Sequence, residues 1–189
     1  MRELEKMIIE DGKLLDGDVL IVGNFLNQNI DIKLLRKMAK EVHDHFNTKV
    51  DKIMTIEASG LPFATAIALE YDCDMIFAKK SATTNLSGNV YKSGAFSYTH
   101  QQDFEIFVNG DYLKKGDNVL IVDDFLACGN AFNALLDIAN QAKLNVIGFA
   151  SEIEKVYQNG GKKLRDLGYD VFSLAMIEAM ENGKIIFKK

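Results

Sequence analysis

Residues 119–131 read VLIVDDFLACGNA. Four apolar residues, Val119 to Val122, end in two adjacent aspartates, Asp123 and Asp124, and a turn of small residues around Gly129 leads into a helical pattern. A short apolar run bounded by turn residues reads as a buried strand. Two like charges at the end of such a strand are costly unless something cationic or hydrogen-bonding meets them. Small residues let the backbone approach a ligand closely. A helix that starts here offers free N–H groups and the positive end of its dipole to an anion. One turn therefore joins an anion cradle to two carboxylates. A sugar phosphate fits both halves, with its phosphate on the amides and its hydroxyls on the aspartates. The competing reading makes the aspartates a cap on the following helix.

Outward from this stretch, strands and helices alternate. KIMTIE at 52–57, DMIFAK at 74–79 and NVIGFASEIEK at 145–155 read as strands, and LPFATAIALEY at 61–71 and residues 130–142 as helices. Pro62 falls in a first helical turn, where proline is tolerated. The pattern predicts an α/β fold: a mainly parallel central sheet flanked by helices. Ligands of such sheets bind at the strand C-termini. The loops IEASG, AKK and DDFLACGNA all lie there. Before this core, residues 2–11 read as an amphipathic helix ended by Gly12, VLIV at 19–22 as a strand, and NFLNQNID at 24–31 as a loop. Asp31 is placed to cap a helix through about Phe46, with Leu35, Met38, Ala39, Val42 and Phe46 on its apolar face. Residues 80–95, rich in Ser, Thr, Asn and Gly, suggest a long mobile loop of the kind that serves as a lid. AFSYTH and FEIFVNG suggest two more strands or a hairpin, GGKKLRDLGY a short helix, and the tail further strands. The expected organisation is a single domain over 1–189, with a core over roughly 32–154 and a small cap built from 1–31 plus 155–189.

The totals exclude several classes. With 48% hydrophobic and 26% charged residues the chain can bury a sizeable core. A net charge of −5 argues against general nucleic-acid binding or attachment to an anionic membrane. Only Cys73 and Cys128 are present, which implies no disulfide framework and fits a reducing cytoplasm. The charged N-terminus carries no secretory signal pattern, and no apolar run reaches the length of a membrane span. Three histidines, with His43 and His45 close together, supply no zinc-type ligand set. A strand ending in acids is also found in P-loop nucleotide hydrolases, but GxxxxGK[ST] is absent. Response-regulator receivers place paired acids after their first strand, whereas here the pair lies two-thirds of the way along.

Taken whole, VLIVDDFLACGNA resembles the phosphoribosyl pyrophosphate signature of type I phosphoribosyltransferases. The chain is similar nearly throughout to bacterial members of that family that use xanthine, through FLNQNID at 25–31, TIEASG at 55–60, FAKK at 77–80, FSYT at 96–99 and EIEKVYQNGGKKLRDLGY at 152–169. The resemblance implies roles for individual residues. Ala127, Cys128, Gly129, Asn130 and Ala131 would hold the donor's 5-phosphate. Asp123 and Asp124 would meet the ribose hydroxyls and, through water, a magnesium ion with no direct protein ligand. Glu57, Ala58, Ser59 and Gly60 match the pyrophosphate loop, with Lys79 and Lys80 close by. Residues 81–98 match a flexible loop that closes over the reacting centre. Leu20, Asn27 and Lys155 match the xanthine-contacting positions. The resemblance also implies a homodimer.

Residue chemistry supports this assignment. Xanthine has carbonyl oxygens at C2 and C6, so its site needs donors; Asn27 can supply an amide N–H and Lys155 an ammonium. Read without the resemblance, Leu20 is a core residue, Asn27 a turn former and Lys155 a solvated lysine. Two positions depart from the family pattern. Cys128 stands where relatives often carry Asn or Thr, which removes a side-chain donor. Lys79 stands in place of an arginine fork. The expected activity is purine salvage by transfer of a phosphoribosyl group to xanthine. The alternatives are another base (guanine, hypoxanthine or adenine) and a donor-sensing regulatory protein on the same fold.

Overall fold

The structure is a computed structural model of the 189-residue chain. It describes residues 1–15, 19–81, 88–97, 102–181 and 183–189. The elements in order are α1 (Arg2–Asp11), β1 (Lys13–Leu15), β2 (Val19–Ile21), α2 (Ile32–Phe46), β3 (Lys52–Ile56), α3 (Leu61–Tyr71), β4 (Asp74–Ala78), β5 (Val90–Ser97), β6 (Gln102–Asn109), β7 (Asn118–Leu126), α4 (Asn130–Gln141), β8 (Asn145–Lys155), α5 (Gly160–Asp166), β9 (Val171–Glu181) and β10 (Lys184–Phe187). A six-stranded sheet runs β10-β9-β8-β7-β3-β4, parallel throughout except for the β9–β10 pair. Strand β7, which carries the quoted stretch, lies inside this sheet with β8 on one side and β3 on the other.

Apolar side chains cover both faces. Leu4 and Ile8 of α1, Leu34, Met38 and Val42 of α2, and Phe63 and Ile67 of α3 pack with Leu120, Val122 and Ala150 into one core. Phe132, Leu135 and Ile138 of α4, Ile106 and Val108 of β6, and Leu164 of α5 pack with Val119, Ile121 and Phe149 into the other. Both faces of β7 are thus dry, which is why its sequence is a continuous apolar run. Met38 has no exposed surface; Met38→Ala would cost about 2–5 kcal/mol through lost transfer energy and a residual cavity.

Local signals account for the helix bounds. The Asp31 carboxylate accepts from the N–H groups of Lys33 and Leu34 at 2.9 and 3.0 Å and starts α2. Such a cap is worth about 1 kcal/mol. Asn47, left-handed at φ 33°, ends it. Leu34 joins the buried face, while Phe46 is only half-buried.

Several expectations are corrected. The polar segment 24–31 is not simply a loop: Gly23–Asn27 forms a π-helical turn that buries Phe25 and Leu26. The expected long loop 80–95 is shorter, because β5 begins at Val90 and pairs antiparallel with β6. Residues 82–87 of that loop lie outside the described residues, as do residue 98 of the closing segment and residues 98–100 of the expected AFSYTH strand. The C-terminal part of the expected cap is built differently: β9 and β10 extend the main sheet. At the other terminus, β1 and β2 form their own two-stranded sheet.

Candidate active site

The diad sits where the alternation of β7 shifts. Leu120, Val122 and the half-buried Phe125 face the α1–α3 core, and Val119, Ile121 and Leu126 face the other. Strict alternation would put Asp124, not Phe125, on the face of Val122. The shift withholds both carboxylates from the two cores and leaves them at the strand end, 6% and 8% exposed. Main-chain amides meet them there. The Asp124 N–H donates to Asp123 Oδ1 at 3.0 Å, and the Phe125 N–H donates to Asp124 Oδ1 at 3.0 Å. Asn27 Nδ2 donates to Asp124 Oδ2 at 3.2 Å, across 97 positions of sequence. Burial, and then the negative charge of Asp124, pushes the Asp123 carboxyl well above the usual carboxylate range.

The turn after the diad leads into α4 through Gly129, left-handed at φ 88°. That conformation favours glycine over any residue with a Cβ. No side chain caps this helix end among the described residues. The first helical N–H groups have no intrahelical partners, so they are available to an anion. Ala127, Cys128, Asn130 and Ala131 are half-buried around Gly129. The loop rests on a second glycine. The Gly160 N–H donates to the Ala127 carbonyl at 3.0 Å. A Cβ at Gly160 would stand 2.3 Å from that carbonyl oxygen and 2.6 Å from the Gly129 nitrogen. Gly161, beside it, packs on the buried Glu154 carboxylate, which accepts a two-pronged bond from Arg165 at 2.8 Å on each oxygen and a third from the Ser173 hydroxyl at 2.6 Å.

Residues 57–60 follow β3 on the near side of the diad. A Cβ on Gly60 would meet Asp123 Oδ1 at 2.6 Å and Thr55 Oγ1 at 2.4 Å, so the loop lies directly against the diad. Glu57 Oε1 accepts from the Lys80 N–H at 2.8 Å, which ties this loop to the end of β4. The peptide between Glu57 and Ala58 is cis. Ala58 is exposed and Ser59 half-buried. Lys79 exchanges main-chain bonds with Phe107 at 2.9 Å, so its side chain leaves from a fixed backbone. Lys80 is exposed, and its positive charge opposes the rise of the Asp123 pKa.

Of the three positions expected to contact the base, Lys155 ends β8 with Nζ 5.9 Å from the Phe125 ring centroid, immediately after the diad. Asn27 is joined to the diad directly. Leu20 behaves first as a core residue, 7% exposed within the α1–α3 cluster. The structure thus groups Asn27, Lys155 and the diad. Sequence reasoning missed Glu152, a buried carboxyl on β8, and Thr55, whose buried hydroxyl has no hydrogen-bond partner. The EIE pattern ending an apolar strand was the available signal for Glu152. A separate cleft of about 700 Å³, lined by Lys49, Asp51, Tyr71 and Cys73 among others, lies at the N-terminal ends of β3 and β4, away from the diad.

Known proteins share this arrangement. The phosphoribosyl transferase domain model matches residues 22–183. Xanthine phosphoribosyltransferase of Clostridium novyi is 44% identical over 189 residues, covering all of both chains. That of Finegoldia magna is 41% identical over 189 residues, again covering all of both. Among solved structures, adenine phosphoribosyltransferase of Rhodothermus marinus superposes with a TM-score of 0.76 at 19% identity, covering 94% of this chain and all of that one. The Saccharomyces cerevisiae adenine enzyme gives 0.74 at 20% identity, covering 92% and 99%. These two likenesses establish the fold. With a match across most of its length and relatives aligned from end to end, the chain belongs to the phosphoribosyl transferase domain family.

Proposed function

We propose that this chain transfers the 5-phosphoribosyl group of phosphoribosyl pyrophosphate to N9 of xanthine, giving xanthosine 5'-monophosphate and pyrophosphate. The observation that carries the transfer chemistry is the hydrogen-bonded pair Asp123–Asp124 directly before a glycine-led helix start. The choice of xanthine is supported by the full-length relatives named for that activity.

The bond from N9 to ribose C1 forms as the bond from C1 to the pyrophosphate oxygen breaks, and N9 gives up its proton. Positive charge develops on the ribose, as in other glycosyl transfers. Asp123 and Asp124 accept from the sugar hydroxyls and favour that charge. Amides of the 127–131 turn hold the 5-phosphate, and the 57–60 loop with Lys79 and Lys80 receives the pyrophosphate. Lys155 and Asn27 donate to the xanthine carbonyls, with Leu20 as apolar wall.

Magnesium accompanies the donor in this reading. Among the described residues no group of three or more His, Cys, Asp or Glu could hold a metal ion. The hard oxygens of the diad suit an ion that keeps its waters and rides on the donor. When bound, it neutralises the leaving pyrophosphate. We also infer a homodimer acting in the cytoplasm; among the described residues no helix is long and apolar enough to cross a membrane.

The test is a turnover assay with xanthine, guanine, hypoxanthine and adenine, each with donor and magnesium. Xanthine is expected to give by far the highest kcat/KM. Preference for another base would reassign the substrate, and no product with any base would leave a donor-sensing protein.

A further inference from the structure

Glu152 is used by none of the steps above. It lies on β8 between Ser151, whose Cα partner is Asp123, and Ile153, whose partner is Phe125, and so stands beside Asp124. It is 1% exposed, and its Oε2 has no hydrogen-bond partner among the described residues. Glu154, two positions on, is equally buried, yet both its oxygens are engaged by Arg165 and Ser173. Two buried carboxyls on one strand are therefore treated differently: one is matched by a cation, the other is left open beside the diad. A buried carboxylate with an unmet oxygen is strongly disfavoured, and the neutral acid is the form that such a place accepts. Burial, then the charges of Asp124 and Asp123, pushes the Glu152 carboxyl well above the usual range. A neutral carboxylic acid carries one O–H donor.

Asp124 has a use for such a donor. Its Oδ1 accepts from the Phe125 N–H, and its Oδ2 accepts from Asn27. Asn27 is also the side chain whose amide the base carbonyl draws on. An amide that turns toward the base loosens its hold on Asp124.

We propose that Glu152 is a positioning residue of the donor site: a buried acid on β8, beside Asp124, that comes to donate a hydrogen bond to it when Asn27 turns toward the base, and so keeps it aimed at the ribose hydroxyls. This rests on the reading of the diad as the ribose site. Glu152 acts through Asp124 and does not touch the reacting atoms.

Glutamine preserves shape, neutrality and a donor at this position; leucine preserves volume but has no donor. Glu152→Gln is expected to keep the donor KM and kcat within about threefold of the parent. Glu152→Leu is expected to raise the donor KM about tenfold, the scale of one lost hydrogen bond to a charged group, and to move the xanthine KM less. A glutamine variant as impaired as the leucine variant would overturn the proposal, because the charge itself would then be needed. A leucine variant with parental kinetics would also overturn it, leaving Glu152 as a filler of space. Calorimetric binding of magnesium phosphoribosyl pyrophosphate reads the same question without turnover. It stands even if xanthine proves the wrong base, a result the parent enzyme alone reports. Should the leucine variant not fold, binding to Glu152→Met, which also lacks a donor, decides: a tenfold loss upholds the proposal, and parental affinity ends it.

Discussion

In the proposed reading the donor side and the base side of this site meet at Asp124 but are built in opposite ways. The donor side is local. Strand end, diad, turn and helix start follow one another from Val119 to Ala131, and the grip proposed for it on the 5-phosphate is through main-chain amides. The base side is assembled from a π-helical turn near the N-terminus and the end of β8, more than 120 residues apart by subtraction of 27 from 155. A local, main-chain site tolerates changes of side chain, as at Cys128, because the fold holds the amides. A site of distant side chains changes with a single residue. The first can stay constant while the second is altered.

The sharpest way to break that comparison is to remove the diad. Asp123→Asn with Asp124→Asn is expected to lower turnover about 10³-fold, the scale seen when preorganised transition-state stabilisation is lost. The melting temperature at neutral pH is expected to hold or rise. The raised Asp123 pKa means that the native state keeps a proton which the unfolded chain releases above about pH 4. Stability from this group is therefore greatest below that pH and is lost as pH rises through the native value. Thermal melts across pH would show the parent gaining stability on acidification toward that range, and the double variant losing much of this dependence. Parental rates would remove the diad from the chemistry.

Next comes the support under the phosphate turn. Gly160→Ala sets a Cβ against the Ala127 carbonyl and the Gly129 nitrogen. Displacing the turn by a fraction of an ångström is expected to raise the donor KM about tenfold to a hundredfold. Steady-state kinetics with each substrate varied in turn should leave the xanthine KM nearly unchanged. A shift in the xanthine KM instead would show that the two sides are not separable here.

On the base side, Lys155→Ala is expected to raise the xanthine KM about tenfold, roughly one charge-assisted hydrogen bond, and the donor KM less. An unchanged xanthine KM would remove this lysine from the base site. Asn27→Ala sharpens the comparison with the smallest effect. Its bond to Asp124 links it to both sides of the proposed site, so both KM values are expected to rise by a few-fold, about 1 kcal/mol each. Movement of the xanthine KM alone would make the Asn27–Asp124 bond incidental.

The same contrast explains what the sequence made legible. The Asp31 cap, the bounds of β8, the helix over 2–11 and the parallel sheet rest on signals within a few residues: a capping side chain, an apolar run, a helical period. Features that depend on remote pairing were not legible. NFLNQNID is polar enough to read as loop, yet Phe25 and Leu26 find a core supplied by α1 and α2. Val90–Ser97 becomes a strand because β6 pairs with it. The tail joins the main sheet because β8 offers a free edge to β9. In the site, the diad and its turn were readable, whereas the Asn27–Asp124 bond and the surroundings of the buried β8 carboxyls arise only when strands register. Leu20 shows the limit from the other side: its burial within a core is as well explained by packing as by a ligand.

The short stretch from Lys155 to Gly161 has a further consequence. It begins with Lys155, proposed to address the base, and ends with the glycines on which the 127–129 turn rests. Grafting this stretch from a relative with another base preference would therefore not be a clean exchange of specificity. A replacement that brought a larger residue at Gly160 or Gly161 would change the reader of the base and unseat the grip on the donor together. Retargeting is better attempted by single substitution at Lys155 or Asn27, with the glycine pair kept as an invariant hinge pin of the graft.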